Sequence, residues 1–252
     1  MSRYKAFAIH LGISLVVFAL LAALVVYLWY PDFFFETDGG WQGIRIILLV
    51  DLVLGPLLTL IVYRAGKPGL KMDLTFIGTF QTLCLLAGTY LVYSERPLGL
   101  VFVDGQFNSV TADSFRDAGI ELPDFSEFPG PSPKWILVDM PANPSEQSRV
   151  RLEMMQRQLP VALLTQFYRP FDPAHELFTD DSTNIDEIVS RDADGISLSS
   201  FLERYGGKDR DYLFYPYAAR YDYFFLGFDA KNKLLKGPLA IHIPEIEGEA
   251  GI

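Results

Sequence analysis

One acidic residue, Asp51, opens the otherwise apolar run D-L-V-L-G-P-L-L-T-L, Asp51 to Leu60. An ionised aspartate at the centre of a membrane-spanning helix costs about 2.5–3.5 kcal/mol on insertion scales, so such a residue normally faces other helices and a polar partner. Asp51, Gly55 and Thr59 recur every four residues and share one helix face. That face is small and polar enough for a second helix to approach closely. Pro56 lacks the N–H that would serve the Leu52 carbonyl, which predicts a kink. In a later apolar run Thr75, Gly78, Thr82 and Thr89 form a small polar stripe, with Gln81, Cys84 and Gly88 beside it. At about 1.5 Å per residue, Gln81 falls within roughly one turn of Asp51 in depth, whereas His10 lies about 12 Å shallower. Gln81 and Thr82 are therefore candidate partners for Asp51, and His10 is a poor one. Two roles stay open for Asp51: holding the helices together through Gln81 and Thr82, or taking a polar or cationic group, or a proton, from elsewhere.

The elements that must position these residues are three long apolar runs: about 7–30, 43–63 and 74–93. Each reaches the roughly 20 residues that crossing a bilayer requires. The first exceeds the apolar core of a signal peptide and no A-x-A-like site follows it, so it reads as an uncleaved anchor. Arg3 and Lys5 precede run one; Asp32, Glu36 and Asp38 lie between runs one and two; Arg64, Lys67 and Lys71 lie between runs two and three. Basic short loops stay cytoplasmic. The expected topology has a cytoplasmic N-terminus and everything after Ser94 outside, in the periplasm if the membrane is a bacterial inner membrane. Arg45, near the outer end of run two, is expected to snorkel toward Glu36 or Asp38.

Charge divides at the same place. Residues 1–93 carry a net +1 and residues 94–252 a net −11. A domain that acidic lacks the basic footprint nucleic acid needs. The single cysteine, Cys84, cannot form an internal disulfide or a structural zinc site. The expected architecture is a three-helix transmembrane domain, 1–93, followed by an exported soluble α+β domain, 94–252, with a mostly antiparallel sheet.

Within that second domain, V-F-V-D-G-Q-F-N-S-V predicts a hairpin about Asp104-Gly105. A short helix over Thr111–Ala118, a proline-rich loop over Pro123–Pro133 and a buried strand over Trp135–Met140 follow. Ser145–Leu159 reads as a helix with Val150 and Met154 inward and Leu152 and Met155 widening that face, and Val161–Tyr168 as another strand. Asp172–Asp194 is polar and irregular, Ser197–Tyr205 predicts a helix, and Phe224–Phe228 with Lys233–Ala240 predicts a closing hairpin. Tyr212, Tyr215, Tyr217, Tyr221 and Tyr223 could form a protein-binding face, although half of them should enter the core.

Catalytic signatures are missing: there is no G-x-S-x-G, H-E-x-x-H or P-loop. His175 with Asp172, Glu176 and Asp180 matches no metal spacing, and D-A-D-G at Asp192–Gly195 lacks the remaining ligands of a calcium loop. No enzyme, metal or cofactor is expected.

The membrane half resembles the type IV pilin accessory proteins of the TfpX/TfpZ and FimB kind. The residues carrying the likeness are A-F-A-I-H-L-G-I-S-L at Ala6–Leu15, W-Y-P at Trp29–Pro31, G-G-W-Q-G at Gly39–Gly43, D-L-V-L-G-P-L-L-T-L at Asp51–Leu60, Asp73, Gln81, and Y-S-E-R-P at Tyr93–Pro97. They cover about the first 100 residues; the second half is similar only in outline. The resemblance implies an inner-membrane accessory factor whose partner is a major type IV pilin, with the lipid bilayer as its setting and no catalytic residues to carry over. On that reading Asp51, Gly55, Thr59, Gln81 and Thr82 are the candidate partner-binding residues. The competing reading is a membrane-anchored sensor, which predicts a concave pocket with convergent polar groups in the second domain. An intramembrane enzyme would require Asp51 and His10 to meet.

Overall fold

A computed structural model describes residues 2–176, 178, 182–183, 188, 196–221 and 223–240. It divides into two compact units, Met1–Pro97 with Thr111–Asp113, and Leu98–Val110 with Ser114–Ile252.

The first unit is helical. α1 (Arg3–Leu24) runs into a π-helical turn, Val25–Trp29. α2 (Phe34–Thr37) is a single turn. α3 (Gly40–Leu48), a π-helical stretch over Leu49–Leu54 and α4 (Gly55–Val62) follow end to end. α5 (Leu70–Ser94) is continuous. Three spans, Arg3–Trp29, Gly40–Val62 and Leu70–Ser94, have 27, 23 and 25 residues and are long and apolar enough to cross a membrane.

Their packing is the reverse of a water-soluble bundle. Leu15, Val16, Leu20, Phe76, Phe80 and Leu86 face outward, while Ala6, Ser14, Asp51, Thr59 and Gln81 are buried. Small residues let the helices approach: a Cβ at Gly43 would come within 2.8 Å of Val92. At the same end Tyr30 Oη donates to the Val92 carbonyl at 2.9 Å, and Trp29 meets Tyr93 edge-on at 5.2 Å between ring centroids. Arg45 lies over the Trp41 ring, 4.9 Å from its centroid.

The second unit is built on seven strands: β1 (Pro97–Val103), β2 (Gln106–Thr111), β3 (Lys134–Val138), β4 (Tyr168–Pro170), β5 (Tyr212–Ala218), β6 (Tyr223–Asp229) and β7 (Leu235–Ala240). Its helices are α6 (Ala112–Ala118), α7 (Pro144–Gln156) and α8 (Ile196–Tyr205). The β1–β2 turn takes φ of 53° at Asp104 and 71° at Gly105. Two successive positive φ values define the primed turn whose twist suits a hairpin, which is why Asp-Gly stands there.

The sheet order is β4-β3-β1-β2-β5-β6-β7. It is mixed, which corrects the mostly antiparallel expectation: β1–β3 and β2–β5 are parallel, while β3–β4, β5–β6 and β6–β7 are antiparallel. Short turns between antiparallel strands leave a local signature. Parallel neighbours are joined by long crossovers that leave none.

Burial on both faces follows from this topology. One face packs Val101, Val103, Val110, Ile136 and Val138 against Phe115, Met154 and Leu163. On alternate residues an aromatic cluster gathers Phe102, Phe107, Trp135, Phe171, Phe178, Tyr215 and Phe228. α8 closes over Phe214, Phe225 and Leu239 through Phe201.

Two other local expectations change. Val161–Tyr168 is not a strand. It forms two 3-10 turns, Val161–Leu163 and Thr165–Phe167, held by i to i+3 bonds such as Leu164 N–H to the Val161 carbonyl, and pairing with β3 begins only at Tyr168. Leu152 and Met155 point outward, 49% and 69% exposed, because Val150 and Met154 fill the only face that α7 turns to the sheet.

Candidate functional site

The buried polar residues of the helical unit form a seam between the spans. Asp51 is 3% exposed and Ser14 2%. Asp51 Oδ1 accepts from Ser14 Oγ at 3.0 Å and from Gln81 Nε2 at 2.6 Å. Gln81 Nε2 also lies 3.4 Å from Ser14 Oγ and 3.4 Å from the Asp51 carbonyl oxygen. Further along, His10 Nδ1 lies 2.6 Å from Thr59 Oγ1. Spans one and two thus meet through two polar pairs, and span three meets them through Gln81.

Local geometry explains why the Asp51 carbonyl is free to join. In the π-helical stretch the Gly55 N–H bonds to Val50 O rather than to Asp51. The next candidate donor in a π pattern would be residue 56, and Pro56 has no N–H. Proline's effect therefore falls on Asp51 itself, one residue before the Leu52 carbonyl that an α-helical register implies.

Gly55 completes the seam by being small. A Cβ there would overlap the Gln81 carboxamide. Asp51, Gly55, Thr59 and Gln81 are brought together by the fold, all turned toward the chain's own helices. Thr82 is not with them: it is exposed and donates to the Gly78 carbonyl one turn back at 2.8 Å. Asp51 and His10 bond to different residues, Ser14 and Gln81 for the first and Thr59 for the second, as their depths predict. That geometry offers no acid–histidine dyad. The residue missed by sequence reading is Ser14. Its signal was its position four residues after His10, on the same face of the same helix.

In the second unit, an open groove of about 490 Å³ lies among α6, the residues after α7 and the ends of β2 and β5. Its exposed wall is largely apolar, with Asn108, Ser109, Ser114, Asp117 and Gln158 as its polar residues. The tyrosines divide by place in the β5–β6 hairpin: Tyr215 and Tyr217 within β5 are fully buried and Tyr212 at its start is half-buried, whereas Tyr221 in the turn and Tyr223 at the start of β6 are exposed. Of the candidate metal-site residues, Asp180 lies outside the described residues, as does D-A-D-G at 192–195. No group of three or more His, Cys, Asp or Glu that could hold a metal occurs among the described residues.

A family model described as fimbrial assembly protein FimB matches residues 1–38, the stretch that carries His10 and Ser14. A fimbrial assembly protein of serogroups C1 and C2 from Dichelobacter nodosus is 36% identical over 101 residues, covering 39% of this chain and 76% of that protein. The chain belongs to the FimB fimbrial assembly protein family. This FimB-family chain is also 32% identical over 133 residues to the serogroup I fimbrial assembly protein of the same organism, covering 50% of each chain. The serogroup E1 protein matches to the same extent. The FimB-family chain thus spans about half the length of these two curated relatives. No solved structure matches it.

Proposed function

We propose that this protein is an inner-membrane accessory factor that assists assembly, stability or surface display of a type IV pilin. One observation carries the reading: a chain related to fimbrial assembly proteins has three apolar spans with an inside-out packing, joined to an acidic mixed-sheet domain. Large apolar side chains outward and polar ones inward suit helices whose solvent is hydrocarbon. The charge of the short loops supports a cytoplasmic N-terminus and a periplasmic second domain. A pilin subunit that waits in the membrane before assembly would meet the helices with its own helix and the acidic domain with its head.

In this account Asp51, Gly55, Thr59 and Gln81 serve the pilin from inside, by fixing the register of the spans that face it. Thr82, on the outward side of span three, is a residue a pilin helix would touch. The role is one of assembly rather than catalysis.

Site-specific photocrosslinking in cells tests this. A crosslinker at Thr82, at Tyr221 and at buried Asp51 should capture pilin at the first two positions and not at the third. Capture at none of them, with normal protein levels, would overturn the reading. A reporter enzyme fused just beyond Pro97 should be active only outside the cytoplasm.

The groove beside α6 favours a second reading, a ligand-sensing domain, since its volume suits a small molecule. Filling it with Ala118→Trp should leave piliation unchanged under the accessory role and abolish signalling under the sensor role.

A further inference from the structure

The turn around Asp51 collects more oxygen acceptors than it has hydrogens to give them. Five oxygens belong to it: both carboxylate oxygens of Asp51, the Asp51 carbonyl, Ser14 Oγ and Gln81 Oε1. Donors are the Ser14 hydroxyl and the Gln81 amide. Gln81 Nε2 sits among three of the oxygens, 2.6 Å from Asp51 Oδ1 and 3.4 Å from both Ser14 Oγ and the Asp51 carbonyl. Asp51 Oδ2 and Gln81 Oε1 are buried with no donor among the described residues. An unmet acceptor in an apolar interior costs about 1–3 kcal/mol, and more when it carries charge. No lysine or arginine pairs with Asp51 among the described residues; Arg45, the basic residue of span two, lies over Trp41.

We infer that this cluster is a binding site for one alkali cation, sodium or potassium. Its ligands would be the Asp51 carboxylate and carbonyl, the Ser14 hydroxyl and the Gln81 amide oxygen, with the amide turned so that Oε1 faces the carboxylate. Three features select this ligand. Hard oxygen donors, including a carbonyl released from helical bonding, are what such cations take in interrupted membrane helices. A single carboxylate balances a single positive charge, whereas a divalent ion would stay undercompensated. The site is closed by the chain's own helices, at 3% exposure for Asp51 and 2% for Ser14, which shuts out a side chain from another protein. Gly55 is required because any Cβ would push the Gln81 head group off the site. The inference does not rest on the pilin reading, and each can fail without the other.

The full chain in lipid nanodiscs provides the test. Its thermal midpoint is followed at neutral pH and constant ionic strength in sodium chloride, potassium chloride or choline chloride. One or both alkali salts should raise the midpoint by about 3–8 °C over choline. Ser14→Ala should shrink that rise and Asp51→Asn should remove it. Retention of radioactive sodium or potassium by the wild-type protein gives a measurement that needs no folded variant. Equal midpoints in all three salts with no retained ion overturn the inference, as does an undiminished rise in Asp51→Asn. A midpoint that follows pH and ignores the salt also overturns it, in favour of a bound proton.

Discussion

Gly55 on span two lies directly against the Gln81 head group of span three, so near that one added carbon would occupy the same space. The two residues lie 26 positions apart in a 252-residue chain, yet the small size of one permits the polarity of the other. Without that approach, the Gln81 amide could not reach Asp51 Oδ1 at 2.6 Å.

Replacing Gly55 with alanine should therefore destabilise the bundle. In an exposed helix the same change would stabilise by about 0.5–1 kcal/mol. Here overpacking should cost about 1–3 kcal/mol. Thermal unfolding in nanodiscs, compared with Gly78→Ala where a Cβ meets nothing within 4 Å, checks the sign.

Asp51 and Gln81 should be energetically coupled. Gln81→Leu leaves the carboxyl with the Ser14 hydroxyl as its remaining side-chain donor, and Asp51→Leu strands the amide. The double replacement removes both needs and should cost less than the two single costs added, by about 0.5–2 kcal/mol. A double-mutant cycle on unfolding free energy decides it. Additive costs would mean that the contact contributes nothing.

Thr82 should behave in the opposite way. Its hydroxyl bonds within its own helix and its side chain is exposed. Thr82→Leu should change bundle stability by no more than about 0.5 kcal/mol. If the proposed pilin contact holds, the same substitution should lower the yield of pilin crosslinked to span three.

The β6–β7 turn should loosen in acid. The N–H groups of Asn232 and Lys231 bond to the Asp229 carboxylate at 3.1 and 2.9 Å, with Lys236 at 3.8 Å, and hold its pKa below the ordinary value. A lowered folded value adds stability that is full above the unfolded pKa, about 3.9, and is lost as pH falls through the lowered one. Exchange of the Lys231 and Asn232 amides should accelerate over that range in the wild type and show no such step in Asp229→Asn.

Tyr168 gives the alkaline counterpart. Burial raises its phenol above the usual range, and its hydroxyl donates to the Ala162 carbonyl at 2.6 Å. The folded state keeps the proton that the unfolded chain gives up at about pH 10, so its contribution is complete below that pH and falls as pH rises beyond it. Tyr168→Phe should cost about 1 kcal/mol at neutral pH and flatten the alkaline fall. Denaturation with guanidinium at several pH values measures both.

How much of this protein is written locally can be judged residue by residue. The apolar runs that became three spans, the Asp104-Gly105 turn, α8 before Gly206 and the β6–β7 hairpin were all legible, because partition out of water, turn chemistry and helix ends are properties of contiguous residues. So was the shared face of Asp51, Gly55 and Thr59, which needs only the helical repeat. That Gln81 lies within reach of Asp51 and His10 does not was legible too, from depth along the helices. Which of Gln81 and Thr82 turns inward, and that Ser14 joins them, depend on how the helices rotate against one another. The parallel neighbours of β1 and β2 were likewise invisible, because each pair is joined through long intervening chain. Sequence alone determined which segments are long and apolar enough to leave water and which turns they take; the tertiary fold decided which of their faces touch, since that choice is made by packing between residues far apart in the chain.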